Sequence, residues 1–490
     1  MYKIMTPGPV SVPEQVMNAR SRWFPNPDVD TSFCEEYHDV CKRIAGLLHT
    51  GNEVYILDGE GILGLEAACA SLTEPGDRVL VIDNGIYGRG FADFVSMYGG
   101  IPVLYTCDYR NPVNPDELSG PVSVPEQVMN ARSRWFPNPD VDTSFCEEYH
   151  DVCKRIAGLL HTGNEVYILD GEGILGLEAA CASLTEPGDR VLVIDNGIYG
   201  RGFADFVSMY GGIPVLYTCD YRNPVNPDEL SEYLENDHNF KYATVVHCDT
   251  PSGMLNDVSA ICPLLKKYGI MTLVDSVSAM FGAEFKVDEW QIDIACGGSQ
   301  KAMSAPSGLT FVSISDDAFS AMRSRKTPIA SFYCNLLTFE NYYKDKWFPY
   351  TMPASDIYGL REAVGIIEKD KDRLVRHARI SKAVRETLTA AGLMLYAESG
   401  YSPTVTVFNV PDNIKAADII ETMKNDYGIL IAGSFDYLAG KVLRIGHMGN
   451  SANADDVALT LDALDKTLRR FNFEPACSLR DSFMHKMQQQ

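Results

Sequence analysis

An identical internal repeat is the feature that most constrains how this chain can fold. Residues 8–119 recur without a single change as residues 120–231, and nothing after residue 231 is duplicated. Solenoid repeats are shorter and diverge in sequence, so this repeat does not predict a solenoid. Identity over the whole segment indicates a recent tandem duplication, a sequence-assembly error or an engineered insertion rather than an evolved two-fold functional unit. We call residues 8–119 copy one and residues 120–231 copy two.

Only one copy can complete the domain that continues after residue 231. Copy two is joined directly to that region, whereas use of copy one would leave copy two as a long excursion of the chain. Closing such a loop costs about 4 kcal/mol of chain entropy by its logarithmic length dependence. We therefore predict that copy two belongs to the fold and that copy one is an appended partial domain. This assignment is a hypothesis, because identical segments can exchange between subunits.

Composition and charge restrict the class of protein. No stretch approaches the roughly 20 uninterrupted apolar residues of a membrane span, and residues 1–7 lack the charged-then-apolar pattern of a signal sequence. The net charge of −24 argues against nucleic acid and anionic membranes as partners. The 13 cysteines are scattered, with no CxxC pair and no spacing typical of metal ligands. These features predict a cytoplasmic enzyme with reduced thiols and no metal site.

Apolar runs alternate with helical patterns through both copies and beyond them. In copy one, helices are predicted at about 32–48 and from Ile62 onward, and strands at 53–57, 78–82 and 101–105. Later in the chain, a helix is predicted at about 258–268, and strands at 242–247, 270–274, 292–296 and 309–314. This alternation predicts an α/β fold with a mainly parallel sheet, whose ligands lie at the carboxyl ends of the strands.

A smaller α+β domain is predicted toward the C-terminus. Residues 315–350 are irregular and rich in aromatic residues, and one long helix is predicted from a cap at Ser355 to about Ala391. The elements expected beyond it are strands at 404–408, 429–431 and 442–445 and helices at 416–427 and 454–471. The predicted domains are the extra copy at 1–119, the large domain at 120–350, the small domain at 351–475 and a mobile tail at 476–490.

A lysine and an aspartate are the strongest chemical signals. Lys301 stands where an apolar run, Ile292–Cys296, opens into a turn rich in glycine and serine, and Asp275 ends another apolar strand. A lysine that forms a Schiff base and an aspartate that pairs with a pyridine nitrogen are the two groups that pyridoxal phosphate requires. Taken singly, the lysine is better explained as a surface residue and the aspartate as a helix cap. Together they predict this cofactor.

Two further turns follow predicted strands. The turn Gly171, Glu172 and Gly173 precedes a helix, where free N–H groups and the helix dipole favour a phosphate. The Glu172 carboxylate would repel a phosphate, so its side chain is expected to face the substrate or else solvent. Tyr199 follows another strand and can either lie flat on a cofactor ring or simply pack.

Other polar residues near strand ends are candidates for cofactor or substrate binding. Thr250 and Ser252 offer hydroxyl groups either to the cofactor or to their own turn. Ser299 and Gln300 precede the lysine and can hold phosphate oxygens. Arg444 lies among apolar residues and glycines, so it needs a partner, which is either a substrate carboxylate or a structural ion pair.

These motifs together resemble those of a known family, the class V aminotransferases of fold type I. The similarity is to the alanine–glyoxylate, serine–pyruvate and pyridoxamine–pyruvate kind, and it spans the 378 residues that remain when one copy is removed. The motifs that carry it are Thr6-Pro7-Gly8-Pro9, Gly171-Glu172-Gly173, Gly197-Ile198-Tyr199-Gly200, Asp249-Thr250-Pro251-Ser252-Gly253, Val274-Asp275-Ser276, Gly298-Ser299-Gln300-Lys301, Tyr350-Thr351 and Arg444-Ile445-Gly446-His447.

The resemblance implies a role for each main residue. Lys301 would carry the covalent link to the cofactor, and Asp275 would pair with the pyridine nitrogen. Tyr199 would stack on the ring and Thr250 would contact its substituents. Arg444 would bind the substrate carboxylate.

The resemblance also implies an assembly, because Tyr350 and Thr351 are similar to a segment that reaches the neighbouring subunit's cofactor phosphate. A homodimer with composite sites is therefore expected.

The reaction implied is transfer of an amino group from a small-molecule donor to pyruvate or glyoxylate. The turns that contain Glu172 and Thr250 are most similar to pyridoxamine–pyruvate aminotransferases, in which the equivalent glutamate acts on pyridoxamine and the vitamin B6 compound is itself a substrate. Those enzymes carry an arginine nine residues before the one that matches Arg444, and this chain has Phe435 there. Alanine–glyoxylate and serine–pyruvate activities therefore stay open. A pyridoxal-phosphate lyase and a non-catalytic binding protein, whose fold the duplication disrupts, are the alternatives from other classes.

Overall fold

The computed structural model describes residues 31–83, 86–106, 139–140 and 142–489. The proline-rich segment that opens copy one and the motif Thr6-Pro7-Gly8-Pro9 lie outside these residues, as does most of the segment that opens copy two. In copy one the elements are α1 (Thr31–Leu47), α2 (Gly61–Leu72), β1 (Arg78–Asp83), α3 (Ile86–Met97) and β2 (Ile101–Thr106).

Copy two contains the same elements and one more strand. They are α4 (Thr143–Leu159), β3 (Glu165–Asp170), α5 (Gly173–Leu184), β4 (Arg190–Asp195), α6 (Ile198–Met209) and β5 (Ile213–Thr218). The next elements are α7 (Pro227–Asn236), β6 (Tyr242–Val246), β7 (Cys248–Asp249), β8 (Met254–Leu255), α8 (Val258–Lys267), β9 (Met271–Asp275), β10 (Ile294–Gly298) and β11 (Leu309–Ile314).

A seven-stranded sheet is the centre of the large domain. Its strand order is β3-β11-β10-β9-β6-β4-β5. Strand β11 runs antiparallel to both of its neighbours and the other pairs are parallel, so the predicted mainly parallel sheet is confirmed. The central strands β6, β10 and β11 are buried along their whole length because helices cover both faces of such sheets.

Copy one forms only a two-stranded parallel sheet, in which β1 pairs with β2 in the register that β4 and β5 have in copy two. The strand predicted at residues 53–57 was wrong, because these residues have no regular structure. Their counterpart β3 exists because it pairs with β11, from Asp170 opposite Leu309 to Glu165 opposite Ile314. The chain contains one β11, and β3 of copy two pairs with it.

The second half of the chain adds helices and a small sheet. They are α9 (Asp316–Arg323), α10 (Tyr342–Asp345), α11 (Ala354–Lys369), α12 (Arg373–Ala390), β12 (Val405–Asn409), α13 (Ala416–Tyr427), β13 (Val442–Gly446), α14 (Ala454–Arg470) and α15 (Leu479–Gln489). Strands β12 and β13 form an antiparallel pair. Buried apolar residues of α11 belong to the large core, whereas those of α12 to α15 form a second core.

Five expectations for this half were wrong. Residues 315–350 are not irregular, since they contain α9, α10 and a 3₁₀ helix at Leu336–Phe339. The single long helix is broken at residues 370–372, where the Asp370 carboxylate accepts a hydrogen bond from the guanidinium of Arg376 at 2.9 Å. Its first turn is capped by no side chain, and Ser355 instead donates a hydrogen bond to Asp356.

The other two corrections concern a strand and the tail. Residues 429–431 form no strand, and the neighbouring Ala432 makes only an isolated bridge to Arg444. The tail predicted to be mobile forms α15, because Leu479 and Phe483 lie one turn apart and are both buried in the second core.

Across the described residues, each helix is too short or too polar to cross a bilayer. In the same part of the chain the cysteines are free thiols, and His, Cys, Asp and Glu side chains form no group of three suited to a metal ion.

Candidate active site

Asp275 and Lys301 meet at the carboxyl ends of two neighbouring strands. Strands β9 and β10 run parallel, and Asp275, the last residue of β9, lies opposite Cys296 of β10. Lys301 follows three residues after β10 ends. Asp275 is buried and Lys301 is half-buried. Burial raises the pKa of Asp275 to about 7, and the nearby positive charge of Lys301 opposes this rise.

The local fold orients the Asp275 carboxylate. One oxygen accepts a hydrogen bond from the amide of Val277 at 2.9 Å. The negative charges of Asp249 and Glu172 raise the pKa of Asp275 further, so the positive charge nearby does not fully neutralise this carboxylate. A protonated ring nitrogen placed beside it would complete that neutralisation, which is the role that pyridoxal phosphate chemistry requires.

The turn that contains Glu172 is held by its own side chains. Glu172 is the N-cap of α5, and its Oε1 accepts a hydrogen bond from the amide of Ile174 at 3.2 Å. Its Oε2 accepts a hydrogen bond from Gln300 Nε2 at 3.0 Å, which joins this turn to the lysine loop. Among the described residues the Oε1 of Gln300 is buried without a partner. Gly171 has a φ of +150° that disfavours any side chain, and its amide donates to Gly308 at 2.9 Å.

Asp249 organises the turn that carries Thr250 and Ser252. Its buried carboxylate accepts hydrogen bonds from the Ser252 hydroxyl at 2.7 Å and from the amide of Tyr199 at 3.2 Å. Burial raises the pKa of Asp249, and these donors oppose that rise. A Cβ on Gly197 would lie 2.5 Å from the carboxylate, so the glycine permits this close approach. The hydroxyl of Ser252 is thus used within its own turn.

Arg444, Phe435 and Tyr199 lie side by side. The Arg444 guanidinium lies 6.0 Å from the centre of the Phe435 ring, and its Nε donates to the carbonyl of Gly433 at 2.5 Å. The Tyr199 and Phe435 ring centres are 6.0 Å apart at 70°. Burial raises the pKa of Tyr199, and the charge of Arg444 opposes this rise, so Arg444 faces the same space as Tyr199.

Three predicted residues make contacts within the fold. The buried Ser299 hydroxyl donates to the carbonyl of Pro306 and so closes the loop that follows Lys301. Tyr350 is buried and stacks on Tyr333, with ring centres 4.2 Å apart. Thr351 donates to the carboxylate of Asp140 at 3.0 Å. No cofactor role for these residues follows from these contacts.

The described structure therefore brings most of the predicted residues to one edge of the sheet. Gln300 donates a hydrogen bond to Glu172. The charges of Glu172 and Lys301 both act on the pKa of Asp275, and the charge of Asp275 acts on the pKa of Tyr199. Sequence reasoning passed over the organising role of Asp249. The signal was present, since an aspartate three residues before a serine is typical of a side-chain-closed turn.

The residues fit pyridoxal phosphate. A buried carboxylate without a full counter-charge suits a protonated ring nitrogen, and the half-buried amine of Lys301 lies in the turn after the neighbouring strand, where its charge acts on that carboxylate. The turn at the start of α5 places the N-terminus of a twelve-residue helix on the same edge, where a phosphate is favoured.

A family model, described as Aminotransferase class-V, matches residues 129–441, beginning inside copy two. This chain belongs to the class V aminotransferase family, and it is an aminotransferase that uses pyridoxal phosphate.

Among its relatives is a pyridoxamine–pyruvate transaminase of Mesorhizobium japonicum, 32% identical over 351 residues that cover 71% of this chain and 89% of the relative. A serine–glyoxylate aminotransferase of Arabidopsis thaliana is 31% identical over 68% of this chain and 85% of its own length. The crystal structure of a ureidoglycine–glyoxylate aminotransferase from Bacillus subtilis is similar with a TM-score of 0.71 at 28% identity, and covers 74% of this chain and 95% of that one.

Proposed function

We propose that this aminotransferase moves an amino group from a small-molecule donor to pyruvate or glyoxylate. The observation that carries the proposal is the placement of Lys301 beside the buried Asp275 at the ends of β9 and β10. The relatives named for pyridoxamine–pyruvate and serine–glyoxylate transamination support this choice of acceptors.

Each residue then has a defined task. Pyridoxal phosphate, when bound, supplies a ring that accepts electrons from the bond broken at the substrate carbon. Asp275 keeps a proton on the ring nitrogen, and Tyr199 covers one ring face. The Lys301 amine removes a proton from the substrate carbon and returns one as general base and acid. Arg444 pairs with the substrate carboxylate.

The cofactor contacts are proposed in the same way. Gly171 and Gly173 at the start of α5, with the Gln300 side chain, would hold the phosphate. Thr250 would contact the ring substituents. Ser252 and Ser299 would act indirectly, because their hydroxyls shape the turns on either side.

The donor is proposed to be pyridoxamine, with alanine or serine as the second candidate. The turns around Glu172 and Thr250 favour pyridoxamine. Phe435 favours alanine or serine, because the position beside Arg444 holds an aromatic ring and not a second arginine. Arg444 can then bind one substrate carboxylate. Because pyruvate and glyoxylate each carry a single carboxylate, Arg444 suffices for either acceptor.

The remaining expectations are kept as proposals. The unit 120–490 pairs as a homodimer, with Tyr350 and Thr351 at the shared face. It divides into a large domain at 120–350 and a small domain from 351 onward, which has its own core from α12 on, while the buried residues of α11 belong to the large core. A cytoplasmic location is supported by the free thiols of the described residues and by the net charge of −24.

The variant Lys301→Ala tests the assignment, and Lys326→Ala, which removes an exposed lysine, is its matched control. We expect Lys301→Ala to lose the visible absorbance of a lysine-linked cofactor and to reduce turnover by about 10³-fold or more, because the amine acts as both base and acid. The control should keep both properties. Turnover retained by Lys301→Ala would refute the proposed mechanism.

A donor–acceptor panel resolves the substrate. Pyridoxamine, alanine and serine are each offered with pyruvate and with glyoxylate, and the new oxo and amino products are measured. Product from pyridoxamine and pyruvate selects the first candidate, and product from alanine or serine selects the second. A folded protein that binds pyridoxal phosphate but converts none of the pairs would favour the non-catalytic alternative.

A further inference from the structure

Two glutamates at identical positions of the two copies have different partners. Glu66 of α2 is buried, with 4% of its surface exposed. Its carboxylate accepts four hydrogen bonds, from the Tyr98 hydroxyl at 2.8 Å, the Ser331 hydroxyl at 2.8 Å, and the amides of Phe332 at 3.0 Å and Tyr333 at 2.9 Å. Three of these donors lie more than 260 positions away along the chain, so Glu66 fastens copy one to the large domain.

Glu178, the counterpart of Glu66 in α5, is half-buried. Among the described residues its carboxylate accepts one hydrogen bond, from the hydroxyl of Tyr210 at 2.7 Å. Tyr210 is the counterpart of Tyr98, so this pair is internal to each copy. The glutamate contact with residues 331–333 is therefore made by Glu66 and not by Glu178, while copy two contacts this segment at Asp170, whose carbonyl accepts a hydrogen bond from the Tyr333 hydroxyl at 2.9 Å.

Apolar contacts show the same asymmetry. Ile62 packs against the large core, whereas its counterpart Ile174 is 43% exposed. Phe94 of copy one also meets Phe332 edge to face, with ring centres 6.3 Å apart. The surface of α5 that corresponds to the docked surface of α2 thus remains open in the described structure.

Residues at equivalent positions of the two copies also lie near each other. A Cβ on Gly308, whose carbonyl accepts a hydrogen bond from the amide of Gly171, would lie 3.1 Å from the Asp58 carboxylate. Asp58 is the residue equivalent to Asp170, and its charge adds to the raised pKa of Asp170. Burial raises the pKa of Tyr210, and its equivalent Tyr98 adds to the rise. Proximity of equivalent residues is a property of an isologous, two-fold interface. Copy one is therefore docked on the large domain as a second subunit would be.

We propose that copy one and a second copy of this chain compete for the face formed by residues 331–333. In a pair of chains, each Glu178 would bind the 331–333 segment of the other chain, and each Ile174 would be covered. Copy one supplies half of that arrangement, because it carries the glutamate but has no 331–333 segment of its own. This proposal refines the homodimer described above, and a mass measurement tests it without reference to activity.

Tethering decides the competition in the intact chain. A segment on the same chain binds at a high effective concentration, whereas a second chain must reach the face from solution. The intact protein is then a monomer whose pairing face is occupied from within. Release of copy one makes that face available and allows two chains to pair.

Light scattering after size exclusion measures the outcome in the full chain, whose mass is 54.2 kDa. The wild type should elute at that mass, and Glu66→Ala should move toward twice that mass as concentration rises. Glu178→Ala is the matched control, since the same residue is changed at the equivalent position, and it should stay at the single-chain mass. The double variant should also stay there, because the released face then finds no Glu178 to bind.

Hydrogen exchange at Phe332 and Tyr333 reports docking independently of mass. Both amides should be protected in the wild type and in Glu178→Ala, and should lose protection in dilute Glu66→Ala. Glu66→Gln and Glu178→Gln are milder substitutions that control for misfolding. Glu66→Gln should dimerise and lose amide protection, whereas Glu178→Gln should behave as the wild type does. A wild type that is already a dimer at the lowest concentration, a Glu66→Ala variant that stays monomeric, or an equal response to the two substitutions would overturn the proposal.

Discussion

Copy one and copy two are the same 112 residues in two different surroundings. In copy two, Leu192 of β4 is fully buried and Tyr167 of β3 is 2% exposed. In copy one, the counterparts Leu80 and Tyr55 are 65% and 70% exposed. A strand needs a neighbour for its N–H and C=O groups and a layer over its side chains. In the described part of copy one, residues 53–57 form no strand, and β1 pairs with β2 but leaves Leu80 uncovered.

The helices respond differently from the strands. Both copies form α helices at corresponding positions, and Glu60 caps α2 as Glu172 caps α5. A helix satisfies its hydrogen bonds within one segment, whereas a strand depends on another part of the chain. The comparison therefore teaches that local sequence suffices for these helices and caps, while the strand at 165–170 requires β11.

The largest effect should come from removal of a core leucine in one copy only. Leu192→Ala should lower the free energy of unfolding by about 3 kcal/mol, because it leaves a cavity beneath the sheet. Leu80→Ala should change it by less than about 0.5 kcal/mol, because this side chain is mostly exposed. Denaturant unfolding of the two variants measures the difference. Equal losses would show that copy one is packed as tightly as copy two.

A second pair of variants compares the copies by activity. Tyr199→Ala should reduce kcat/KM by about 100-fold, since the ring that positions the cofactor is lost. Tyr87→Ala changes the same residue in copy one, which has no counterpart of Asp275 or Lys301, and should leave the rate unchanged. Steady-state assays under the same conditions decide between them. A larger loss for Tyr87→Ala would reverse the assignment of the copies.

The smallest effect concerns the charges that copy one brings to copy two. Burial raises the pKa of Asp170 to about 8, with further contributions from Asp356, Asp58 and Glu60, while a hydrogen bond from Tyr333 opposes them. The folded chain thus keeps a proton that the unfolded chain releases. Stability should therefore fall as pH rises from about 4 to about 8 and level off above that.

Asp58→Asn removes one of these negative charges. It should reduce the pH-dependent loss of folding stability by at most about 1.4 kcal/mol, the equivalent of one pKa unit. Thermal unfolding between pH 5 and pH 9 measures the effect. Asp93→Asn, an exposed position in copy one, is the control and should follow the wild type. Identical pH profiles for Asp58→Asn and the wild type would show that copy one does not act on Asp170.

Much of the fold was predictable wherever apolar runs are long and bounded by turns. Strand β11 and helix α13 have the predicted limits, and β9 is displaced by one residue. The site was predictable to the same extent, since Asp275 and Lys301 follow directly from these strands. The break at Asp370 was missed because it involves an ion pair with Arg376, six positions later, that the apolar pattern does not reveal. Helix α15 was missed because its burial depends on the second core, which is built from distant parts of the chain.

The role of Asp249 was missed for a related reason. Its carboxylate acts on the amide of Tyr199, 50 positions away, and on Ser252 nearby. Only the nearby contact has a sequence signature. Likewise, the sequence marked Phe435 as a departure from the family, but its position between Tyr199 and Arg444 required the folded chain.

The order of residues alone established the family, the cofactor chemistry and the existence of two identical copies. It contained no difference between Glu66 and Glu178, because the two glutamates have the same neighbours along the chain. Chain connectivity already favoured copy two as the one that completes the sheet, but which glutamate binds residues 331–333 was decided by tertiary contacts. The physical reason is that β11 and the amides of Phe332 and Tyr333 each occur once, so two identical segments cannot both pair with that strand or both bind those amides.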